Sequence, residues 1–189
     1  LGTRETVWSF NRDILKRFLD THYRPDRIVI SAAGKVDHQL LTKSVRERFV
    51  MVPSTQSPWK RERPGDPGRS ERHFTRDIGQ THICMGTTAY AYTHPKQYDL
   101  IVANTALGGG MSSRLFQQVR ERLGLAYSVY SYVEALEDTG LFGTYVACDR
   151  KKVKPVIEVV KSELIKFREK GITPKELSSC KAQLRSELI

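Results

Sequence analysis

The chain has 189 residues, with 31 Lys and Arg against 21 Asp and Glu, 39% hydrophobic and 28% charged side chains. That composition excludes wholesale disorder, supports a packed core, and with the length predicts one domain or two small ones. Apolar runs such as 28–34 and 100–110 fall far short of the ~20 residues of a membrane-spanning helix, so no membrane partner is expected.

Leu1-Gly2-Thr3-Arg4-Glu5 carries no Met and no signal or transit pattern, and the last residues stop inside a helical pattern. A piece of a longer chain is the expectation. Apolar residues at Phe10, Ile14, Leu15, Phe18, Leu19 and Tyr23 predict one amphipathic helix over Ser9–Tyr23, with Ser9 or Asn11 as cap. Arg24-Pro25-Asp26 breaks it, and the β-branched run Ile28–Gly34 reads as a buried strand. Asp37 caps a second predicted helix through Phe49, with Leu40, Leu41, Val45 and Phe49 as its core stripe.

From Val52 to Ser70 the sequence holds Pro53, Pro58, Pro64 and Pro67 and almost nothing apolar besides Trp59, which predicts a linker between two modules. The expected organisation is a first module over 1–51, a linker over 52–70 and a second module over 71–189. In the second, Arg72–Arg76 and Gln80–Thr88 read as strands. Pro95 suits the first position of a helix ending at Gly108-Gly109-Gly110, and another helix follows from Ser112 or Ser113 to Arg122. Leu125–Ala135 alternates as a strand, placing Tyr127 with Val129, Ser131 and Val133 on one face and Ala126 with Ser128, Tyr130 and Tyr132 on the other. Asp138-Thr139-Gly140 turns it into Leu141–Cys148. Val153–Glu169 is a long helix with Val156, Ile157, Val160, Leu164 and Phe167 inward, and Thr173-Pro174 opens the last helix. The fold class is α+β: two incomplete modules, each a mainly antiparallel sheet with helices laid on it.

No H-E-x-x-H or H-x-x-E-H pair stands among His22, His38, His73, His82 and His94, so no metal ligand and no cofactor of this chain is assigned. Cys84, Cys148 and Cys180 are odd in number and lack C-x-x-C spacing, resembling neither a disulfide framework nor a metal site and favouring a reducing, cytoplasmic compartment. Gly-x-Ser-x-Gly is absent, and Gly108–Gly110 lacks the Lys-Ser/Thr of a phosphate loop. No catalytic residue is assigned in this chain. The net charge of +10 is spread among paired acids, which reads as a solvated surface rather than a polyanion site.

The densest segment, Leu107-Gly108-Gly109-Gly110-Met111-Ser112-Ser113-Arg114-Leu115-Phe116 through Arg120-Glu121-Arg122-Leu123-Gly124-Leu125-Ala126-Tyr127 to Tyr130, resembles the second-domain signature of the pitrilysin/insulinase family of zinc peptidases, the inverzincins, which includes processing peptidases. The stretch from Leu1-Gly2-Thr3 to Val36-Asp37-His38 is similar to the closing half of that family's first domain. The resemblance covers essentially the whole chain. It implies two α+β domains enclosing a chamber, with zinc and its H-x-x-E-H helix upstream of Leu1, so that zinc is expected in the parent or partner and this chain alone is inert. It also implies that Arg120 and Tyr127, seven residues apart, reach a peptide substrate in that chamber. A guanidinium and a phenol both donate hydrogen bonds, so the pair suits a peptide carbonyl and the oxyanion that develops on it. Without the resemblance, Tyr127 packs on a sheet and Arg120 pairs with a nearby acid. Peptide, and a second copy or a catalytic partner subunit, are the expected partners. Two alternatives remain at this point: a non-catalytic partner or scaffold subunit of the same family, and a basic nucleic-acid-binding module resting on charge and on Tyr90, Tyr92, Tyr130 and Tyr132.

Overall fold

The computed structural model describes residues 2–49, 64–65 and 68–187, and the chain divides into two compact units, Leu1–Arg61 and Glu62–Ile189. The proposed linker over 52–70 lies mostly outside the described residues.

The described part of the first unit is helical. Thr3 caps α1 (Arg4–Ser9) in a reciprocal pairing with Thr6. The helix expected over Ser9–Tyr23 forms from the second of its two candidate caps: the Asn11 side chain accepts the Ile14 N–H at 2.9 Å and opens α2 (Arg12–His22), while Ser9 ends α1. Asp37 caps α3 (His38–Arg48) through the Leu40 N–H at 3.0 Å, as its sequence predicts. The segment Ile28–Gly34 is a correction: it forms no strand, and Val29 is 92% exposed. A strand needs a neighbour for its backbone groups, and no strand stands among the described residues of this unit. None of the three helices buries a residue, so the apolar stripe of α2 is left half in water.

The second unit is built on three antiparallel strands, β1 (Thr81–Ala89), β2 (Ala126–Ala135) and β3 (Gly140–Cys148), in the order β1-β3-β2. β-branched and aromatic residues supply the strands, and a tight turn with Leu136 N–H on Thr139 O joins β2 to β3. Arg72–Arg76 forms no strand, so the one expected there is absent. Helix α4 (Gln97–Gly108) begins two residues after Pro95, which lies in the preceding turn where the His94 ring accepts the Lys96 N–H at 3.1 Å. Helices α5 (Val153–Lys170) and α6 (Pro174–Glu187) follow the sheet.

Leu107, Leu115, Val119, Val129, Val146, Val156 and Val160 form the buried core, with Ile83, Met85 and Phe142 packed against it from the sheet. On α5, Val156 and Val160 bury as their spacing predicts, whereas Glu163 completes that face and Ile157 stays outside the core cluster. Glu163 is tolerated there because the Lys166 ammonium meets its carboxylate at 2.7 Å. The architecture is α+β, an antiparallel sheet with helices on one face.

Candidate substrate-binding site

The segment before Tyr127 is wound more widely than an α-helix. Residues Phe116–Arg122 form a π-helix, and its end is closed by Leu123 N–H on Gln118 O, Gly124 N–H on Arg120 O and Leu125 N–H on Val119 O. The last two bonds each span one residue more than those of the usual glycine-terminated helix end. Gly124 adopts φ 55°, the left-handed conformation that glycine enters without a Cβ penalty. The Lys152 ammonium donates to Gly124 O at 2.7 Å and pins the turn.

β2 then begins with a bulge. Ala126 pairs with Cys148 and Ser128 with Ala147, which leaves Tyr127 as the extra residue. The simple alternation expected from sequence is thereby reversed at this point: Ala126 turns into the core beside Val129, and Tyr127 stands 71% exposed. A bulge of this kind re-aims one side chain without disturbing the register beyond it.

Arg120 and Tyr127 meet. The Arg120 guanidinium carbon lies 4.8 Å from the Tyr127 ring centroid and 4.8 Å from that of Phe116, within cation–π range of both. Among the described residues no carboxylate pairs with Arg120, and neither its N–H groups nor the Tyr127 hydroxyl has a hydrogen-bond partner. The ion pair with a nearby acid, the plain alternative for Arg120, is not formed there. With both rings in contact and no described acid paired to it, the guanidinium keeps its N–H donors available beside an exposed phenol. A shallow cleft of about 300 Å³ adjoins Tyr127, lined by Gln80, Leu125, Ala126, Asp149 and Lys152 among others. Phe116 is the partner that sequence reading missed. Its signal is an aromatic residue four positions before an arginine on one helical segment.

The other motifs take structural places. Gly108 lies so close to β2 that a Cβ would collide with the Ser131 backbone nitrogen, and Ser113 folds back on Gly110 O, making this run a packed junction between helices. Arg114 binds Glu176 with Nε and Nη2 at 2.6 and 2.8 Å and donates to Gly171 O at 2.7 Å, tying this junction to α6. Burial pushes the thiols of Cys148 and Cys180 up, which keeps them protonated and inert.

The five histidines do not converge. His22 packs at a tilt against Phe18, His38 meets Thr42, His73 pairs with Glu71, His82 bonds Tyr145 and His94 stacks on Tyr90. No three His, Cys, Asp or Glu among the described residues could share a metal ion, so these residues do not fit zinc. The helix-free face of the sheet presents Tyr130 stacked on Tyr145 at 4.9 Å and Tyr132 over Gly143. By strand alternation and register that face also holds His82, Cys84 and Glu134 but no Lys or Arg. Its tyrosines therefore lack the cations that a phosphate backbone requires. Among the described residues no helix is long and apolar enough to cross a membrane.

The peptidase M16 inactive-domain model matches residues 9–184. An uncharacterized zinc protease of Streptomyces coelicolor is 39% identical over 199 residues, covering 100% of this chain and 43% of its own, and the uncharacterized zinc protease YmxG of Bacillus subtilis is 39% identical over 189 residues, covering 100% and 46%. The chain thus spans less than half the length of these relatives. Its fold is similar to the crystal structure of a peptidase M16 inactive domain from Pseudomonas fluorescens, with a TM-score of 0.88 at 24% identity over 97% of this chain and 45% of that one. With the family match running through both units and the Arg120–Tyr127 segment, the chain belongs to the peptidase M16 inactive-domain family.

Proposed function

We propose that this chain is the substrate-binding, non-catalytic part of a zinc metalloendopeptidase, in which Arg120 and Tyr127 donate hydrogen bonds to a carbonyl of an extended peptide. The observation that carries this is the Arg120 guanidinium packed against the Phe116 and Tyr127 rings, unpaired among the described residues, with an exposed tyrosine beside it. A donor pair arranged before its acceptor arrives costs no reorganisation on binding, which is how such groups lower a barrier. The hydrolytic centre belongs to residues outside the described ones, in the parent or in a partner subunit. A reducing, cytoplasmic compartment fits three cysteines that are all free thiols.

A second reading, a metal-free partner or scaffold subunit of the same family, is favoured by the lack of a converging donor set among the described residues. One experiment addresses both. The 189-residue chain is expected to hold no stoichiometric zinc by metal analysis and to hydrolyse no quenched-fluorescent peptide, while the assembly that contains it does both. In that assembly Arg120→Ala and Tyr127→Phe should each lose about 1–4 kcal/mol of transition-state stabilisation in kcat/KM, with folding stability shifted by no more than about 0.5 kcal/mol. Unchanged kcat/KM, or activity lost only in step with unfolding, rejects the assignment of these residues. An assembly without zinc selects the scaffold reading.

A further inference from the structure

We infer that Phe116 is the positioning residue of this site: its ring and that of Tyr127 both pack against the Arg120 guanidinium and hold its donors where the peptide arrives. The inference rests on the reading of Arg120 and Tyr127 as substrate contacts and adds a residue with a different task. The geometry is symmetric, with the guanidinium carbon 4.8 Å from each ring centroid. The two rings come from opposite ends of one short segment. Phe116 opens the π-helix, Arg120 lies within it, and Tyr127 is delivered by the bulge that follows Gly124.

An arginine side chain on a helix surface ordinarily samples many rotamers, and fixing it on binding costs free energy. Contact with two rings removes part of that freedom beforehand. The five N–H donors of a guanidinium lie in one plane, so holding the group in place also holds its donors in a fixed fan. Phe116 has no polar atom with which to touch a peptide carbonyl and is itself half-buried beside the core residues Leu115 and Val119. Its contribution to binding passes through Arg120. Phe116 and Arg120, four residues apart, lie on one side of this helical segment while Val119 points into the core.

This packing distinguishes a planar guanidinium from a point charge. A lysine at 120 keeps the charge but replaces a planar five-donor group by a compact ammonium with less surface to lay against the two rings. Arg120→Lys should therefore lose nearly as much activity as Arg120→Ala, although it is the milder change by charge. Phe116→Leu should lower kcat/KM of the active assembly about three- to tenfold, the equivalent of one cation–π contact, and Phe116→Tyr should restore it.

The test joins two measurements. In the 189-residue chain, NMR reads the Arg120 Hδ protons, which the packed rings shift upfield; Phe116→Leu should relax that shift toward the free-arginine value and Phe116→Tyr should keep it. In the active assembly, kcat/KM for a quenched-fluorescent peptide is measured for the same variants and for Arg120→Ala and Arg120→Lys, beside their melting temperatures. Loss in Phe116→Leu and Arg120→Lys at unchanged melting, with rescue by Phe116→Tyr, supports the positioning role. Full activity of Phe116→Leu or of Arg120→Lys while Arg120→Ala is impaired overturns the positioning role and leaves the substrate contact standing. Full activity of Arg120→Ala overturns both. If Phe116→Leu fails to fold, Arg120→Lys decides alone, because it replaces a half-exposed side chain and leaves the core untouched.

Discussion

The Arg114–Glu176 pair joins the helix junction to α6 through a 2.6 Å ion pair. Arg114 approaches with two nitrogens, its guanidinium carbon lies 5.0 Å from the Phe167 ring centroid, and Thr173 gives Glu176 both its N–H and its hydroxyl at 2.7 and 2.9 Å. The Arg114 guanidinium, foremost among these donors, pulls the Glu176 carboxyl from its usual 4.5 down to about 2. A carboxylate more acidic in the folded than in the unfolded state stabilises the fold above the unfolded value and stops doing so as pH falls through the folded one. The pair should thus contribute fully at neutral pH and lose its effect between about pH 4.5 and 2. The two side chains are 19% and 30% exposed, so water screens part of the attraction. Glu176→Gln should cost about 1–2 kcal/mol at neutral pH. Thermal unfolding of both proteins from neutral pH down to about pH 2 checks this. The melting curves should converge at the acid end, and a difference constant with pH would show that the charge is irrelevant.

At the scale of elements, helix α4 and strand β2 are joined by absence of a side chain. Gly108 sits against the Ser131 backbone nitrogen, while the Ser131 hydroxyl donates to Asn104 O at 3.2 Å. Backbone cannot step aside as a flexible side chain does, so Gly108→Ala should push α4 off the sheet and cost about 1–3 kcal/mol. A denaturant midpoint equal to the parent's would refute this close fit. The same elements indicate what a sequence discloses. Caps at Asn11, Asp37 and Thr173, the glycine end at Gly124 and the β2–β3 turn are legible because each is fixed by residues within a few positions. The segment Ile28–Gly34 misleads because a strand pattern states only that a run of residues suits a sheet, not that a sheet edge is there to receive it. The bulge at Tyr127 escapes for a related reason. Alternation along one strand carries no count of its partner's residues, and only the pairing with Cys148 and Ala147 reveals the extra one. The pairing of Arg120 with Tyr127 is legible through family resemblance, whereas Phe116 is open to reading only as one of several aromatic residues four positions from a cation, and the contact itself singles it out.

For the whole molecule, the two units differ in how far their apolar residues are covered. Leu107, Leu115 and Val146 in the second unit are almost wholly buried, while Trp8, Phe18 and Leu40 in the first are 75%, 55% and 65% exposed. The second unit therefore holds the stable core, and its strand order bears on how it assembles. The central strand β3 finds β2 across a short turn, but β1 can reach β3 only after α4, the π-helix and all of β2 lie between them in sequence. Closing so long a loop is entropically costly and brings no contact until it is complete. The sheet should grow outward from its hairpin, with β1 docking on the far side of the folding barrier. Stopped-flow refolding tells the two stages apart: Val129→Ala, in the hairpin, should chiefly slow folding, and Ile83→Val, in β1, should chiefly speed unfolding. The opposite partition would mean that β1 pairs first. On the expected order, the pairs beside the β2–β3 turn form first, and Tyr127, at the opposite end of β2 where Ala126 faces Cys148, takes its place only as the hairpin finishes closing.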